Sequence, residues 1–340
     1  MTASSGSSAD PLIATLTMNP ALDITTTIDG PISAGKLRCG PARYDPGGGG
    51  INVARVAHIL GAPVTAVFPA GGTIGEVITH KLVTETEIAV RRVEIAGTTR
   101  ENFTVNEPHT GRQYRFTLPG PNLSRTEQID CLNQLWWAAG SAQYIVASGS
   151  LPPGVAPDFY QRVADMCRVT DVRLVLDTSG TGIVQITSGV FLLKTDPAEL
   201  GAHVGRELCT QADQVDAAGA LIEQGCAENV VISLGRNGAL LITAAGARYH
   251  PPVVVQPGGG VGAGDALVAA ITVGLNRGVP LDIALRLGVA AGAAALLAPG
   301  TVACQRHDIE DLLARVPDSI SPPNPISTLP TSLPQRNVSH

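Results

Sequence analysis

Apolar residues recur with two different spacings along most of this 340-residue chain. From about residue 125 onward, segments with helical apolar spacing alternate with short apolar runs, which predict helices and strands in turn. The predicted helices cover residues 125–139, 157–169, 197–205, 213–225, 263–277, 281–298 and 307–315. The predicted strands cover residues 144–147, 173–177, 190–193, 229–233 and 239–243. This alternation predicts an α/β fold whose central sheet is mostly parallel, with helices on both faces.

The first third of the chain adds a second kind of pattern. A strand at 12–17 and a helix at 50–60 fit the same sheet. Four segments rich in Thr, Arg and Tyr with polar alternation predict two hairpin-like insertions, at 23–28, 37–44, 100–107 and 112–118. A small β layer that projects from the main sheet needs cover on its apolar side, and a second copy of the chain is the obvious cover. We therefore expect a homodimer formed through this β lid.

The domain organisation follows from these patterns. One domain is predicted over residues 11–316, with a lid built from about 23–45 and 100–118. The polar tail 1–10 and the Pro/Ser-rich tail 317–340 have no periodicity and are predicted to be disordered. No internal repeat or long linker separates the parts of the domain.

Composition excludes several functions. The net charge of −6 argues against general affinity for nucleic acid. The longest apolar stretch, at 289–298, is shorter than the ~20 residues that a bilayer span needs, and no signal peptide is visible. Six cysteines are scattered without Cys-x-x-Cys pairing, which predicts reduced thiols and a cytoplasmic location.

The most informative segment is residues 258–265, Gly-Gly-Gly-Val-Gly-Ala-Gly-Asp, which runs directly into a helical pattern. Backbone N–H groups at a helix start are unpaired and carry partial positive charge. Glycines let a phosphate approach that backbone closely, so this loop is predicted to bind an anion. A carboxylate beside a phosphate is repelled unless it takes the proton of the hydroxyl that attacks the phosphate. Asp265 at this position is therefore typical of a kinase.

This segment also has simpler explanations. Asp265 could be only a helix cap, and the glycines only a turn. Gly258, Gly260 and Ala263 also fit a loose dinucleotide-binding pattern, but that pattern needs an acidic residue after the next strand. The next acid, Asp282, begins another helix instead. A P-loop is excluded because the chain has no Gly-Lys-Ser/Thr.

Two candidate sugar-binding segments lie near the N-terminus. Asp23 follows the first predicted strand, where open α/β sheets bind ligands, and either shapes a turn or hydrogen-bonds sugar hydroxyls. Residues 47–52, Gly-Gly-Gly-Gly-Ile-Asn, enter a helix and are predicted to place backbone amides, including that of Gly48, and the Asn52 amide on a pocket wall. A bare glycine run is often only a loop, which is the alternative here.

Candidate phosphate ligands and nucleotide ligands complete the set. Lys36, Arg38 and Arg100 form either a solvated surface or a clamp on the distal phosphate of a sugar phosphate. Ser150, after a strand, is either part of a turn or a sugar-binding hydroxyl. Lys194 and Glu199 either neutralise ATP phosphates and orient hydrated Mg²⁺, or Glu199 only completes a capping box with Asp196. Ser233 and Gly235 border either a nucleotide or a hairpin turn.

In combination these segments resemble the ribokinase-like PfkB carbohydrate kinases, over about residues 12–315 and in the family's order. Residues 47–52 look like the first signature of the family, and residues 261–265 look like the second. Residues 16–23, 35–39, 114–116 and 148–154 are most similar to its phosphosugar kinases. The tetraglycine form is similar to the 6-phosphofructokinases, because fructose-1-phosphate kinases usually carry lysine where Gly49 stands.

The resemblance implies a ribokinase-like three-layer fold, a β lid that also forms the dimer contact, and ATP-dependent phosphorylation of the 1-hydroxyl of fructose-6-phosphate to fructose-1,6-bisphosphate. It implies Asp265 as the base and the amides of Gly262, Ala263, Gly264 and Asp265 as the anion hole. The implied sugar ligands are Asp23, Gly48, Asn52 and Ser150, with Arg100 on the 6-phosphate and Lys36 and Arg38 reaching from the lid. Lys194 and Glu199 would serve ATP and Mg²⁺, Glu199 through water, and Ser233 and Gly235 the nucleotide.

The sequence departs from the family's pattern at three places. Asp196 stands where asparagine is usual, and Gly260 stands where Ser or Thr is usual, which puts a monovalent-cation site in doubt. Residues 76–90 are polar and lack the usual glycine between helix and strand. Two alternative functions follow: a kinase for another phosphosugar such as tagatose-6-phosphate, or a weakly active sugar-phosphate or nucleotide sensor.

Overall fold

The central strands of the main sheet are buried on both faces, as a parallel sheet covered by helices requires. The computed structural model describes residues 12–30, 36–178, 185–256, 260–298, 300 and 303–322. Its strands are β1 (Leu12–Leu16), β2 (Ala21–Thr27), β3 (Arg43–Gly47), β4 (Val64–Ala70), β5 (Ala89–Glu94), β6 (Arg100–Glu107), β7 (Arg112–Thr117), β8 (Ala142–Ser148), β9 (Arg173–Asp177), β10 (Val190–Thr195), β11 (Ala227–Ser233), β12 (Ala239–Thr243) and β13 (Gly246–His250).

The helices fill the connections between these strands. They are α1 (Gly49–Ile59), α2 (Gly72–His80), α3 (Arg125–Ala139), α4 (Phe159–Thr170), α5 (Pro197–Val204), α6 (Gln211–Glu223), α7 (Ala263–Asn276), α8 (Leu281–Leu297) and α9 (Arg306–Leu313). A π-helical turn, Lys81–Glu85, continues α2, and a 3₁₀ turn covers Gly235–Asn237. Among the described residues, none of these helices has both the length and the apolar character of a membrane span.

The main sheet has nine strands in the order β13-β12-β11-β10-β9-β8-β1-β4-β5 among the described residues. All neighbours from β11 to β5 in this order are parallel, and β12 and β13 are antiparallel additions at one edge. One apolar cluster lies between the sheet and α1, α7, α8 and α9, and a second lies between the sheet and α3 to α6. The predicted α/β architecture with helices on both faces is confirmed.

Parallel pairing brings polar residues together at the carboxyl ends of neighbouring strands in this sheet. Ser148 pairs with Asp177 at the carboxyl ends of β8 and β9, and Lys194 pairs with the same Asp177 from β10. The carboxyl ends of parallel strands are where open α/β sheets bind ligands. The register therefore places a hydroxyl, a carboxylate and an ammonium group side by side at that edge.

The predicted β lid is a separate four-stranded sheet in the order β3-β2-β6-β7. β2 and β3 form one antiparallel hairpin, β6 and β7 form another, and β2 and β6 join them in parallel. The prediction of a strand at 37–44 is wrong in its bounds, because residues 36–42 are not in a strand and β3 begins at Arg43. Gly40 and Pro41 interrupt the strand pattern there, since proline has no N–H to donate to a ladder.

Several elements were not predicted from the sequence: β4, α2 with its π-helical turn, β5 and β13. Between the π-helical turn and β5, Glu87 has a φ of 54°, a backbone conformation that favours glycine. The chain therefore keeps the turn between helix and strand without the usual glycine, and Glu87 adopts the strained conformation instead.

The folded chain continues past the predicted boundary at residue 316. Ile320 forms an antiparallel bridge with Tyr249 on β13, and the Ser319 hydroxyl donates to Asp282 Oδ2 at 3.1 Å. The predicted tail 1–10 and residues 323–340 of the predicted C-terminal tail lie outside the described residues.

Candidate active site

A cavity of about 340 Å³ lies between the carboxyl edge of the main sheet, the lid and the first turn of α7. Predicted site residues that line it are Asp23, Gly48, Asn52, Arg100, Lys194, Gly262, Ala263, Gly264 and Asp265. Residues of this set come from regions about 240 positions apart in the sequence, such as Asp23 and Asp265. The fold therefore assembles most of the predicted site in one place.

Asp265 lies in the first turn of α7, and its carboxylate is held by two donors. The Asn52 side-chain amide donates to Oδ2 at 2.9 Å, and the Ser148 hydroxyl donates to Oδ1 at 3.4 Å. The pKa of the Asp265 carboxyl is raised to about 7, first because burial disfavours its charged form and second because the Asp177 carboxylate lies nearby. The two hydrogen bonds and the charge of Lys194 oppose this rise. A carboxyl with such a pKa is suited to accept a proton near neutral pH.

The start of α7 forms the predicted anion cradle. Gly262 is the N-cap residue and has a φ of 88°, a left-handed conformation that glycine adopts without strain. The N–H groups of Ala263, Gly264 and Asp265 belong to the first helical turn and have no partner inside the helix. They line the cavity and offer backbone donors to a phosphoryl group.

Lys194 brings a positive charge to this cradle. A Cβ atom placed on Gly264 would lie 3.3 Å from Lys194 Nζ, so the ammonium group is next to the cradle's backbone. Lys194 Nζ donates to Asp177 Oδ1 at 3.0 Å, and both side chains are only 11% exposed. Burial lowers the pKa of Lys194, but the carboxylates of Asp177, Glu199 and Asp265 together outweigh this effect, so the net pKa is raised. Lys194 is therefore a charged group at neutral pH.

Asp23 is fixed at the base of the lid. The Asn102 amide donates to Asp23 Oδ1 at 2.9 Å across the β2–β6 pair. Burial raises the pKa of Asp23, and Asn102, Arg100 and Arg115 counteract the rise. A Cβ atom on Gly47 would lie 2.1 Å from Asp23 Oδ2, so the glycine run is needed for the carboxylate to fit.

Two arginines face the cavity from the lid. Arg100 donates from Nη1 to the Leu118 carbonyl at 2.8 Å and from Nη2 to the Asn19 carbonyl at 2.9 Å, which fixes its guanidinium group. Arg100 Nε is buried without a partner among the described residues. Arg115 on β7 also lines the cavity and is exposed, and in the described part of the chain its side chain has no hydrogen-bond or ion-pair partner. Arg115 is thus free to contact an anion.

Six predicted site residues do not line the cavity: Lys36, Arg38, Ser150, Glu199, Ser233 and Gly235. Lys36 and Arg38 lie in the exposed segment that precedes β3. Ser150 accepts a hydrogen bond from the Asn19 amide at 3.4 Å. The Ser233 hydroxyl donates to the Thr195 carbonyl at 3.2 Å, and Gly235 opens the 3₁₀ turn with a φ of 58°.

At the junction between β10 and α5, Glu199 and Asp196 form the capping box that was the alternative prediction for Glu199. Asp196 Oδ1 accepts from the N–H groups of Ala198 and Glu199 at 2.9 and 2.8 Å, and Glu199 Oε2 accepts from the Asp196 N–H at 3.1 Å. The charge of Asp196, one of the departures in the sequence, is therefore directed at the start of α5 rather than into the cavity.

The second departure, Gly260, also has a steric explanation. A Cβ atom at this position would lie 1.9 Å from the Ala295 carbonyl oxygen and 2.7 Å from that of Ala298. In this backbone only glycine fits, so a serine or threonine there would require the end of α8 to move.

Polar and charged lining residues that sequence reasoning missed include Asn102, Thr104, Arg115 and Asp177. Strand alternation could have found the first three, since Arg100, Asn102 and Thr104 lie on one face of β6, and Arg115 pairs with Thr104. Asp177 ends a predicted strand, but only the register of β9 with β10 shows that it meets Lys194.

The chain matches one protein family and several known proteins over most of its length. Residues 17–308 match the family described as pfkB family carbohydrate kinase. The ATP-dependent 6-phosphofructokinase isozyme 2 of Mycobacterium tuberculosis is 57% identical over 300 residues, which is 88% of each chain. The Escherichia coli protein of the same name is 38% identical over 304 residues, 89% of this chain and 98% of the relative.

Solved structures of the Escherichia coli phosphofructokinase-2 match over 90% of this chain and 99% of that chain. The complex with fructose-6-phosphate has a TM-score of 0.84 at 36% identity. The complex with potassium and the tetrameric inhibited form have TM-scores of 0.85 and 0.84 at 37% and 36% identity.

Proposed function

The chain belongs to the pfkB family of carbohydrate kinases, and from this membership we propose that it phosphorylates fructose-6-phosphate with ATP to give fructose-1,6-bisphosphate. The observation that carries the proposal is the position of Asp265, whose carboxylate faces the cavity beside the backbone donors of α7. The Escherichia coli relative solved with fructose-6-phosphate supports the choice of sugar.

The proposed reaction is a direct transfer. The sugar 1-hydroxyl gives its proton to Asp265 as its oxygen forms a bond to the terminal phosphorus of ATP, and the bond to the ADP oxygen breaks. The N–H groups of Ala263, Gly264 and Asp265 stabilise the charge on the transferring phosphoryl group. Lys194, next to this backbone, neutralises phosphate charge on the ATP side.

The sugar phosphate is proposed to lie between the lid and α1. Asp23, Gly48 and Asn52 face the cavity and supply a carboxylate, a backbone N–H and an amide to the hydroxyl groups. Arg100 and Arg115 place positive charge at the lid side of the same cavity, where the 6-phosphate would bind. Ser150, held by Asn19, is proposed to contact the sugar only once the ligand is bound. Lys36 and Arg38 are proposed to act from the lid edge, since they lie outside the cavity of their own chain.

Mg²⁺ is proposed to accompany ATP. Protein Mg²⁺ sites on nucleotide phosphates keep several waters and use one or two carboxylates. Glu199 fits this role because its capping contacts engage Oε2 and leave Oε1 outside these hydrogen bonds. Glu199 would hold a water of the hydrated ion, and the ion would neutralise phosphate charge.

Ser233 and Gly235 are proposed to border the nucleotide from the turn after β11. A monovalent cation is proposed near Gly260, where the Ala295 and Ala298 carbonyl oxygens converge, because carbonyl oxygens are ligands for potassium. Comparing the turnover rate in KCl with that in choline chloride tests this site, because only KCl supplies the proposed cation.

A homodimer through the lid is proposed because the lid exposes large apolar side chains. They are Tyr44, Phe103, Phe116 and Leu118. A second copy would cover this face, and the tetramer known for the Escherichia coli relative would need a further interface. Sedimentation equilibrium should give a dimer or larger assembly at micromolar concentration, and a monomer would overturn this part of the proposal. The described cysteines are all unpaired, which supports the proposal of a cytoplasmic enzyme.

A panel of phosphosugars with MgATP tests the proposed reaction. Fructose-6-phosphate should be converted to fructose-1,6-bisphosphate, detected by coupling to aldolase, with a higher kcat/KM than tagatose-6-phosphate. A higher kcat/KM for tagatose-6-phosphate would reassign the substrate. Binding of fructose-6-phosphate or ATP without turnover of any sugar in the panel would favour a sensor.

A further inference from the structure

The end of β8 carries a buried hydroxyl that faces the candidate base. Ser148 is 1% exposed and does not line the cavity, so it does not touch a ligand there. Its hydroxyl donates to Asp265 Oδ1 at 3.4 Å, while the Asn52 amide donates to the other carboxylate oxygen, Oδ2. Donors on both oxygens limit the rotation of the carboxylate about its Cβ–Cγ bond.

The position of Ser148 depends on a close approach between two loops. A Cβ atom on Gly49 would lie 2.2 Å from Ser148 Oγ and 2.8 Å from the backbone nitrogen of Gly149. Gly149 has a φ of 106°, which lets β8 end sharply against the start of α1. The hydroxyl of Ser148 is therefore enclosed between the Gly49 backbone and the Asp265 carboxylate.

We propose that Ser148 is a positioning residue for the base: its hydroxyl, enclosed by Gly49, orients the Asp265 carboxylate and stabilises its charged form. This inference rests on the proposed kinase function and adds to it a residue that contacts the base but not the substrate. The hydroxyl of Ser150, two positions along, has no contact with Asp265 and provides a comparison within the same loop.

The expected pH effect has a defined sign. Hydrogen-bond donors to a carboxylate favour its charged form and lower its pKa, so loss of the Ser148 hydroxyl raises the pKa of Asp265. The other charged groups near this carboxylate are Asp177 on β9, which raises its pKa, and Lys194 on β10, which lowers it. Neither is altered by a change at Ser148. Because the base acts in its charged form, a higher pKa lowers activity only on the acid side.

Ser148→Ala tests the inference through the pH dependence of kcat at saturating fructose-6-phosphate and MgATP. We expect the acid limb of the pH–rate profile to move to higher pH by about half a unit. The shift is small because the hydrogen bond, at 3.4 Å, is long and therefore weak. The rate at pH 6 should then fall about threefold relative to wild type, with recovery to within about twofold at pH 9. The KM for fructose-6-phosphate should stay within about twofold, because Ser148 does not line the cavity.

Two comparisons make the test specific. Ser150→Ala should leave the acid limb in place, whatever it does to KM. Gly49→Ala, which competes with Ser148 for space, should move the limb in the same direction as Ser148→Ala. The inference would be overturned if Ser148→Ala left the acid limb of the pH–rate profile unchanged, with or without a rise in KM. It would also be overturned if Ser150→Ala moved the acid limb by the same amount as Ser148→Ala.

A second readout does not depend on turnover. The ¹³C signal of the Asp265 carboxyl, assigned by its loss in Asp265→Asn, should titrate at higher pH in Ser148→Ala than in wild type. The same titration midpoint in both proteins would overturn the inference. If wild type has no kinase activity, the proposed function fails while the titration still decides whether Ser148 stabilises the Asp265 carboxylate.

Discussion

Replacing Lys194 with methionine should destabilise the protein by removing one member of a buried ion pair. Lys194 Nζ lies 3.0 Å from Asp177 Oδ1, and both side chains are 11% exposed. Methionine keeps most of the length and apolar surface of the lysine stem but has no charge. The variant would leave the Asp177 carboxylate buried without its counter-ion, beside the Asp265 carboxylate.

The short distance and the burial of this ion pair set the size of the expected loss. At 3.0 Å and an effective dielectric constant of about 20, the attraction between the two charges is about 5.5 kcal/mol before the cost of desolvation. Removing one partner of a buried pair typically costs about 3–5 kcal/mol, because the remaining charge keeps its desolvation penalty. We therefore expect the free energy of unfolding of Lys194→Met to fall by about 3–5 kcal/mol at pH 7.5.

The matched control is the double variant Asp177→Asn/Lys194→Met, which removes both charges. Because the desolvation penalty then disappears with the attraction, it should recover at least half of the stability lost in Lys194→Met. Urea unfolding followed by far-UV circular dichroism, at one protein concentration, measures both values. Both variants should have a higher KM for MgATP than wild type, because neither has the Lys194 ammonium charge beside Gly264.

Two outcomes would contradict a strong, buried Lys194–Asp177 ion pair. If Lys194→Met lost less than about 1 kcal/mol, the pair would behave like an exposed salt bridge. If the double variant were no more stable than Lys194→Met, the unpaired Asp177 charge would not be the cause of the loss. A KM for MgATP equal to that of wild type would remove Lys194 from the phosphate site.

Three further results are expected. The acid limb of kcat/KM should lie near pH 7, because burial raises the pKa of Asp265 to about 7 and the base acts when deprotonated; a limb near pH 4 would contradict the raised pKa. Arg115→Gln should raise the KM for fructose-6-phosphate at least ~10-fold by removing a charge-assisted contact, whereas Arg112→Gln on the same strand should not; equal effects would remove Arg115 from the site. Glu87→Gly should raise the free energy of unfolding by roughly 1 kcal/mol, because Glu87 has a φ of 54° that glycine adopts without strain. Glu76→Gly, inside α2, should lower the free energy of unfolding by about as much, and a lower value in both variants would show that Glu87 is unstrained.

The sequence predicts the parts of this fold that repeat with a clear period. Helices such as Arg125–Ala139 and strands such as Arg173–Asp177 have the predicted bounds, because their apolar residues follow one spacing and end at polar or glycine residues. β4 was missed because all seven of its residues are buried, so it has no alternation, and it contains Pro69. α2 was missed because it begins with glycines and ends in a π-helical turn.

The candidate site shows the same division. Asp265 and its glycine loop could be predicted because the chemistry lies within a few consecutive residues. The Lys194–Asp177 pair depends on the register of two strands, and the Ser148–Asp265 contact depends on the close packing of Gly49 on Gly149. Neither register nor loop packing is encoded in a local pattern. Arg115 could have been found from strand alternation on β7, which places it opposite Thr104.

The most direct measurement of the central claim is the turnover rate of Asp265→Asn with fructose-6-phosphate and MgATP. Asparagine keeps the size of the side chain and can still accept a hydrogen bond from Asn52, but it cannot take a proton at neutral pH. We predict that kcat falls by about 10²–10⁴-fold or more while the dissociation constant for fructose-6-phosphate, measured by calorimetry, changes by less than about fivefold. A kcat within about threefold of wild type would show that Asp265 is not the base and would contradict the proposed mechanism.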